Sequence, residues 1–281
     1  MQTAQDLKEI VKETYSEIAN QSKEQNAASC CGAGNCSTVD YAIFAEDYSA
    51  LGGYHPDADL GLGCGVPTEF AQIKPGDTVL DLGSGAGNDC FVARAITGES
   101  GKVIGLDMTP SMIEKARNNA DALNFNNVEF RLGDIEHMPI AANRIDVIIS
   151  NCVLNLVPDK ALAFSEMYRV LKPGGHFSVS DIVLDGELPK KIQGAAEMYA
   201  GCVSGAIQKT DYLQKLAGSG FSDLSIQKEK VITLPDDILS DYLSPEEIDE
   251  YKKNNAKILS ITVYGKKSDA QQCGCGPGEC C

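Results

Sequence analysis

Cysteine is the residue type here with the most chemistry open to it. The chain holds eleven, and three stand in distinctive settings. Cys64 lies in Leu62-Gly63-Cys64-Gly65, Cys152 follows Ser150-Asn151, and Cys202 closes Tyr199-Ala200-Gly201-Cys202. The others include Cys30-Cys31 and Cys36 before these, and Cys273, Cys275, Cys280 and Cys281 in the tail. Thiols in a reducing compartment serve soft-metal binding, redox exchange or both, while any single one can be a small core side chain. Cys90 has no surrounding motif and is read as core. Structural zinc wants C-x₂₋₄-C pairs set further apart than those of the tail, so zinc would be strained there.

The second chemical feature is Asp81-Leu82-Gly83-Ser84-Gly85-Ala86-Gly87. A glycine turn leaving a buried strand lets a ligand approach the backbone and presents amides at a helix start. Asp107 ends the next apolar segment, where a carboxylate can accept hydrogen bonds from both hydroxyls of a ribose. Dinucleotides and other nucleoside ligands share that geometry. A dinucleotide site spaces its glycines G-x-G-x-x-G to admit a pyrophosphate; here the spacing is G-x-G-x-G, and Asp81 would repel a pyrophosphate but suit a cation. A third carboxylate, Asp134, stands beside apolar Ile135, a pair able to take an adenine amino group and cover the ring. Each acid could instead be a cap or a surface turn. Three at the ends of successive strands point to one site.

These residues need strands and helices to place them. TVLDLG, KVIGLD, NVEFRLGD, RIDVIISNCVL and HFSVSDIV read as strands, with intervening helices from about Cys90 to Thr97, over SMIEKARNNADALN after Thr109-Pro110, and over ALAFSEMYRVLK up to Pro173-Gly174-Gly175. This alternation predicts an α/β, doubly wound, mostly parallel Rossmann-like sheet. An amphipathic N-terminal helix carries Leu7, Ile10, Val11, Tyr15 and Ile18 at helical spacing. Tyr48 and Gly53 lie in a glycine-rich segment that reads as a folded lid over the ligand. Past Asp185 the pattern loosens into an α+β region: helices over IQGAAEMYAGCVSGA, TDYLQKLAGSG and PEEIDEYKKNNAKI, strands over SDLSIQKEKVI and SITVYGKK. The expected division is 1–65 as helix and cap, 66–185 as the Rossmann-like domain, 186–268 as the C-terminal region and 269–281 as a flexible tail.

The net charge of −16 disfavours nucleic-acid and acidic-membrane partners. No apolar run approaches the roughly 18 residues a bilayer span needs, and the first residues lack the apolar core of an export signal, so the expected location is cytoplasmic. Nothing demands more than a monomer. His55 and His176 read as structural, and His137 as surface.

The segment from about Thr78 to Val183 resembles the class I, seven-stranded S-adenosylmethionine methyltransferases. That likeness covers a bit over a third of the chain. It implies that S-adenosylmethionine is held by Asp81, Gly83, Ser84, Gly85, Gly87, Asp107, Met108, Asp134, Ile135 and Asn151. The segments YSALGGYHPDADLGLGCG, SNCVLNLV and EMYAGCVSGA further resemble the arsenite methyltransferase family, with similarity from about residue 40 to 265. The resemblance implies that Cys64, Cys152 and Cys202 bind trivalent arsenic, and that Cys30 or Cys31 works with Cys64 in a redox cycle. The substrates would be arsenite and methylarsenite, free or as thiol conjugates, methylated for detoxification, with thioredoxin or glutathione as reductant.

Arsenic(III) is soft, so thiolates are its natural ligands, and three sulfurs leave its lone pair free to attack a methyl group without a general base. The tail cysteines would then be an arsenic(III) capture arm, extra redox thiols or incidental. The alternatives are a carbon or oxygen methyltransferase of a small metabolite such as a quinone precursor, and a non-catalytic thiol-rich metalloid-binding protein. The first would need a base near the methyl and would leave the cysteines idle; the intact glycine turn with Asp81 and Asp107 argues against the second.

Overall fold

Near-continuous apolar runs end in glycine turns and alternate with helices, and they fold as such a pattern requires. The computed structural model describes residues 3–21, 46–188, 191, 205–234, 236–240, 243–253 and 256–269, the side chains of 237 and 238 aside. Cys30, Cys31, Cys36, Cys202 and the tail cysteines lie outside them, as does most of the helix expected over 192–206.

Among the described residues seven strands form one sheet: β1 (Thr78–Leu82), β2 (Lys102–Asp107), β3 (Val128–Leu132), β4 (Ile145–Asn151), β5 (Leu171–Asp185), β6 (Phe221–Ile232) and β7 (Lys257–Lys267). Their order is β3-β2-β1-β4-β5-β7-β6. The first five run parallel, and β7 lies antiparallel between β5 and β6. The reversal of strand order between β1 and β4 opens a crevice at the strands' carboxyl ends, the usual ligand position of such sheets. Val79, Leu80, Leu82 and Ile145 through Ile149 (Asp146 apart) are buried, because helices cover both faces. The strands expected after residue 186 extend this same sheet.

The helices are α1 (Ala4–Ala19), α2 (Pro67–Phe70), α3 (Asn88–Thr97), α4 (Pro110–Ala122), α5 (Lys160–Val170), α6 (Lys209–Gly218), α7 (Asp236–Ser240) and α8 (Pro245–Lys253). Thr3 and Asp6 form a reciprocal capping box that starts α1. This helix buries Val11, Ile18 and Ala19, and the Lys115 ammonium on α4 donates to the Ala19 carbonyl at 3.0 Å. Ile10, expected on its apolar stripe, is 44% exposed; the packed face is narrower than the pattern suggested.

Two boundaries also differ from expectation. The fourth strand stops at Asn151, and Leu154–Leu156 forms a 3₁₀ turn. The fifth begins at Leu171, so Pro173-Gly174-Gly175 lies inside it, at the irregularity between the Ile145 and Val147 pairings. A bulge accommodates a proline that a regular inner strand would not. No helix among the described residues is long and apolar enough to cross a membrane.

Candidate active site

The crevice is a cavity of about 1160 Å³, open mouth included, walled by the glycine turn, the ends of β1, β2 and β4, α1, and the segment from Ala58 to Gly63. Its carboxylates are Glu46, Asp59, Asp81, Asp89, Asp107 and Asp134, against one described ammonium, Lys8. Such a lining concentrates cations and repels phosphates.

Asp107 occupies the place expected of it. Its Oδ2 accepts from the Gly85 amide at 3.0 Å and its Oδ1 from the Thr109 amide at 2.8 Å, which fixes the carboxylate and leaves each oxygen a further lone pair toward the cavity. Gly85 takes φ +50°, a conformation a side chain would strain, although a Cβ there would meet only Met112 Sδ at 4.0 Å. Ser84 Oγ and Asn88 Oδ1 are buried on the cavity wall with no hydrogen-bond partner among the described residues. Unpaired buried polar atoms lining a cavity await a ligand's donors and acceptors. Met108, Met112 and Ile135 supply the apolar surface.

Several expected residues have further partners in the fold. Asp81 is buried, and its Oδ2 accepts a hydrogen bond from the Cys90 thiol at 3.2 Å. Burial, then the neighbouring Asp89, push the Asp81 carboxyl well above its ordinary range. Cys90 is thus a core thiol with a partner. Gly87 does not line the cavity: it caps α3 at φ +101°, and a Cβ would press on Phe91 and Phe130. Gly53 lies against the Phe91 carbonyl and Ala95, away from the cavity. Asp134 reaches the cavity already engaged, its Oδ2 accepting from Lys8 Nζ at 2.6 Å and its Oδ1 from the Glu136 amide. Lys8 also pairs with Glu136, so α1 is latched over this end of the site. His176 Nε2 meets the Ala71 carbonyl at 2.7 Å, a structural contact, and His137 is exposed.

Cys152 lines the cavity just past β4; Cys64 lies behind its rim, and both are buried in one apolar cluster with Ile182 and Leu184. Cys152 takes φ +60° and donates its amide to the Ser180 carbonyl at 2.8 Å. A non-glycine residue held there costs about 1–3 kcal/mol, and such strain clusters at working sites.

Asn151 is less a wall residue than a clamp. Its Oδ1 accepts from the Cys64 amide at 3.0 Å, and its Nδ2 donates to the Gly65 carbonyl at 2.8 Å. Ser260 Oγ donates to the Cys64 carbonyl at 2.6 Å. The Cys64 peptide is therefore pinned from two strands. Tyr48, expected over the ligand, is buried at the cavity wall, and its hydroxyl lies within hydrogen-bond reach of Asp89 Oδ1 at 2.8 Å and the Gly65 carbonyl at 2.9 Å, one of which takes its single hydrogen. Asp89 went unrecognised in the sequence, because an acid in the first turn of a helix has an ordinary role there. So did Lys8, which the helical pattern alone cannot aim.

A methyltransferase-domain family model matches residues 73–220. The arsenite methyltransferase of Halobacterium salinarum is 40% identical over 276 residues, covering 94% of this chain and 67% of that one. The chain belongs to the arsenite methyltransferase family. The arsenite methyltransferase of Aquipseudomonas alcaligenes is 32% identical over 277 residues, covering 96% of this chain and 75% of that one. Among solved structures, the arsenic(III) S-adenosylmethionine methyltransferase of Chlamydomonas reinhardtii superposes with a TM-score of 0.62 at 35% identity, over 75% of this chain and 69% of that one. The sheet order described above is the fold of these methyltransferases.

Proposed function

We infer that this chain transfers methyl groups from S-adenosylmethionine to trivalent arsenic, as arsenite and then methylarsenite, held on cysteine thiolates, for detoxification. The observation that carries the reading is a carboxylate-rich cavity with Cys152 in its wall and Cys64 in the same buried apolar cluster as that thiol.

The donor supplies a methyl group on a positively charged sulfonium. The residues present suit it: Asp107 for the ribose hydroxyls, Ile135, Met108 and Met112 for the base, and the unpaired Ser84 Oγ and Asn88 Oδ1 for polar groups. Asp81 and Asp89 stand in the same wall, and a bound cation would favour the charged form of their raised carboxyls. Asp134, engaged by Lys8, still carries acceptor capacity for an amino group.

Arsenite, As(OH)₃, exchanges its three hydroxides for three thiols, releasing three waters. We assign these thiols to Cys64, Cys152 and Cys202. The described chain resumes at Gly205, which lies against the Asn155 carbonyl three residues past Cys152. Cys202 itself lies outside the described residues, and its assignment rests on the family's motif. The arsenic lone pair then attacks the methyl carbon as the carbon–sulfur bond breaks, so no base is needed. Aligning the two can supply about 7–11 kcal/mol of the barrier. Arsenic leaves the step pentavalent. Two electrons return it to the trivalent state as a dithiol, Cys64 with Cys30 or Cys31, closes to a disulfide. Thioredoxin or glutathione as the final reductant, a monomeric state and a cytoplasmic location belong to the same proposal, as does arsenic capture by Cys273, Cys275, Cys280 and Cys281.

The test is incubation with methyl-labelled S-adenosylmethionine, arsenite and a thiol reductant. Labelled methyl and dimethyl arsenicals are expected. Arsenite binding without any labelled product would leave a metalloid buffer instead.

A further inference from the structure

The hydrogen-bond system around Asn151 joins the two halves of the site. Asn151 Nδ2 lies 2.8 Å from the Gly65 carbonyl, 2.9 Å from Tyr48 Oη and 3.2 Å from Asp89 Oδ2. Tyr48 Oη lies 2.8 Å from Asp89 Oδ1 and 2.9 Å from the same Gly65 carbonyl. The hydrogens are fewer than the acceptors: Asn151 and Tyr48 bring three to four acceptor positions. How they are shared depends on whether Asp89 is ionised. A charged Asp89 draws the Tyr48 hydroxyl and one Asn151 hydrogen, leaving the other Asn151 hydrogen for Gly65 and the amide oxygen for the Cys64 amide. Hydrogen bonds to an ionised acceptor are roughly twice as strong as neutral ones. A protonated Asp89 must itself donate, and the arrangement loosens.

Asp89, Tyr48 and Asn151 also line the donor cavity. The loop they hold has no slack: a Cβ on Gly63 would stand 2.5 Å from Asn151 Nδ2, and one on Gly65 2.5 Å from Ser180 Oγ. Burial raises Asp89 to about 6, so a nearby positive charge bears on its ionisation.

We propose that Asp89, Tyr48 and Asn151 are positioning residues through which a cationic donor in the cavity orders the Cys64 loop, so that donor and arsenite bind cooperatively. This rests on the functional reading above. The cation keeps Asp89 charged; the charged Asp89 orients Tyr48 and Asn151; these hold the Gly63–Gly65 backbone, and arsenite meets a thiol already in place. By linkage, arsenite tightens the donor by the same factor.

The experiment is equilibrium dialysis of arsenite against the full-length reduced protein at about pH 5, where Asp89 without a cation is mostly protonated, with arsenic counted by mass spectrometry. It is run alone, with S-adenosylhomocysteine (an uncharged thioether), and with an analogue carrying an ammonium in place of the methylsulfonium. The ammonium analogue is expected to tighten arsenite about 5- to 10-fold, and the thioether less. Tyr48→Phe keeps the ring but loses the hydroxyl; it and Asp89→Asn should each reduce the effect below about twofold while both ligands still bind. Equal arsenite affinity with and without the ammonium analogue in the unsubstituted protein would overturn the proposal, as would undiminished coupling in Tyr48→Phe. A protein that binds no arsenite at all would instead overturn the functional reading beneath it.

Discussion

Cys152 joins three properties that a core thiol does not need together: a left-handed backbone, a place in the cavity wall, and a second thiol in its own apolar cluster. Replacing its sulfur by oxygen should therefore remove function while sparing the donor site. Cys152→Ser is expected to lower arsenic methylation at least about 100-fold with the S-adenosylhomocysteine dissociation constant unchanged within twofold, read by product analysis and calorimetry. Asp107 is the complementary residue, fixed by two amides and turned to the cavity. Hydrogen bonds involving a charged group are worth about 1.5–3 kcal/mol, so Asp107→Ala should weaken donor binding roughly 10- to 100-fold. Unchanged affinity would remove its assigned role. Both residues were legible in the sequence because a strand end gives a side chain one place to go. Asn151 was legible only as a neighbour of Cys152; its grip on Cys64 depends on two segments 87 positions apart.

Among the elements, the strands and the glycine turn were readable because period, burial and turn chemistry agree there. Exposure of β6 at Glu229 through Val231 fits its place at the sheet edge, where pairing is one-sided. The latch between α1 and the site was not readable, since nothing in an amphipathic pattern says which partner a flanking lysine finds. Lys8 holds Asp134 and Glu136 with a side chain only 14% exposed. Lys8→Met should loosen α1: amide-exchange protection over residues 4–19 is expected to fall, and the bound donor to dissociate faster. Protection that stays at the level of the unsubstituted protein would mean the apolar face alone secures the helix.

Taken as a whole, the molecule carries a strong negative charge and keeps several acids inside. Asp181 is fully buried with the Tyr212 hydroxyl 3.1 Å away, and burial lifts it from 3.8 to about 7, opposed by Lys160 and Tyr212. Between those values the fold binds a proton that the unfolded chain has released, so Asp181 makes stability fall as pH rises through that window. Asp89, raised to about 6 by burial, acts in the same direction. Glu129, held down to about 2 by Arg131 and Lys102, acts oppositely but only below pH 4.5. Asp181→Asn removes the Asp181 contribution. The melting temperature of the variant relative to the unsubstituted protein should rise by roughly 5 °C between pH 5 and pH 8. A difference independent of pH would mean Asp181 does not titrate in that range.

The thiolate-bound arsenic itself is open to arsenic K-edge X-ray absorption on the reduced protein loaded with one equivalent of arsenite. Three sulfur neighbours are expected, falling to two sulfurs and one oxygen in each of Cys64→Ser, Cys152→Ser and Cys202→Ser. An oxygen-coordinated arsenic, or three sulfurs that survive in all three variants, would contradict the assignment.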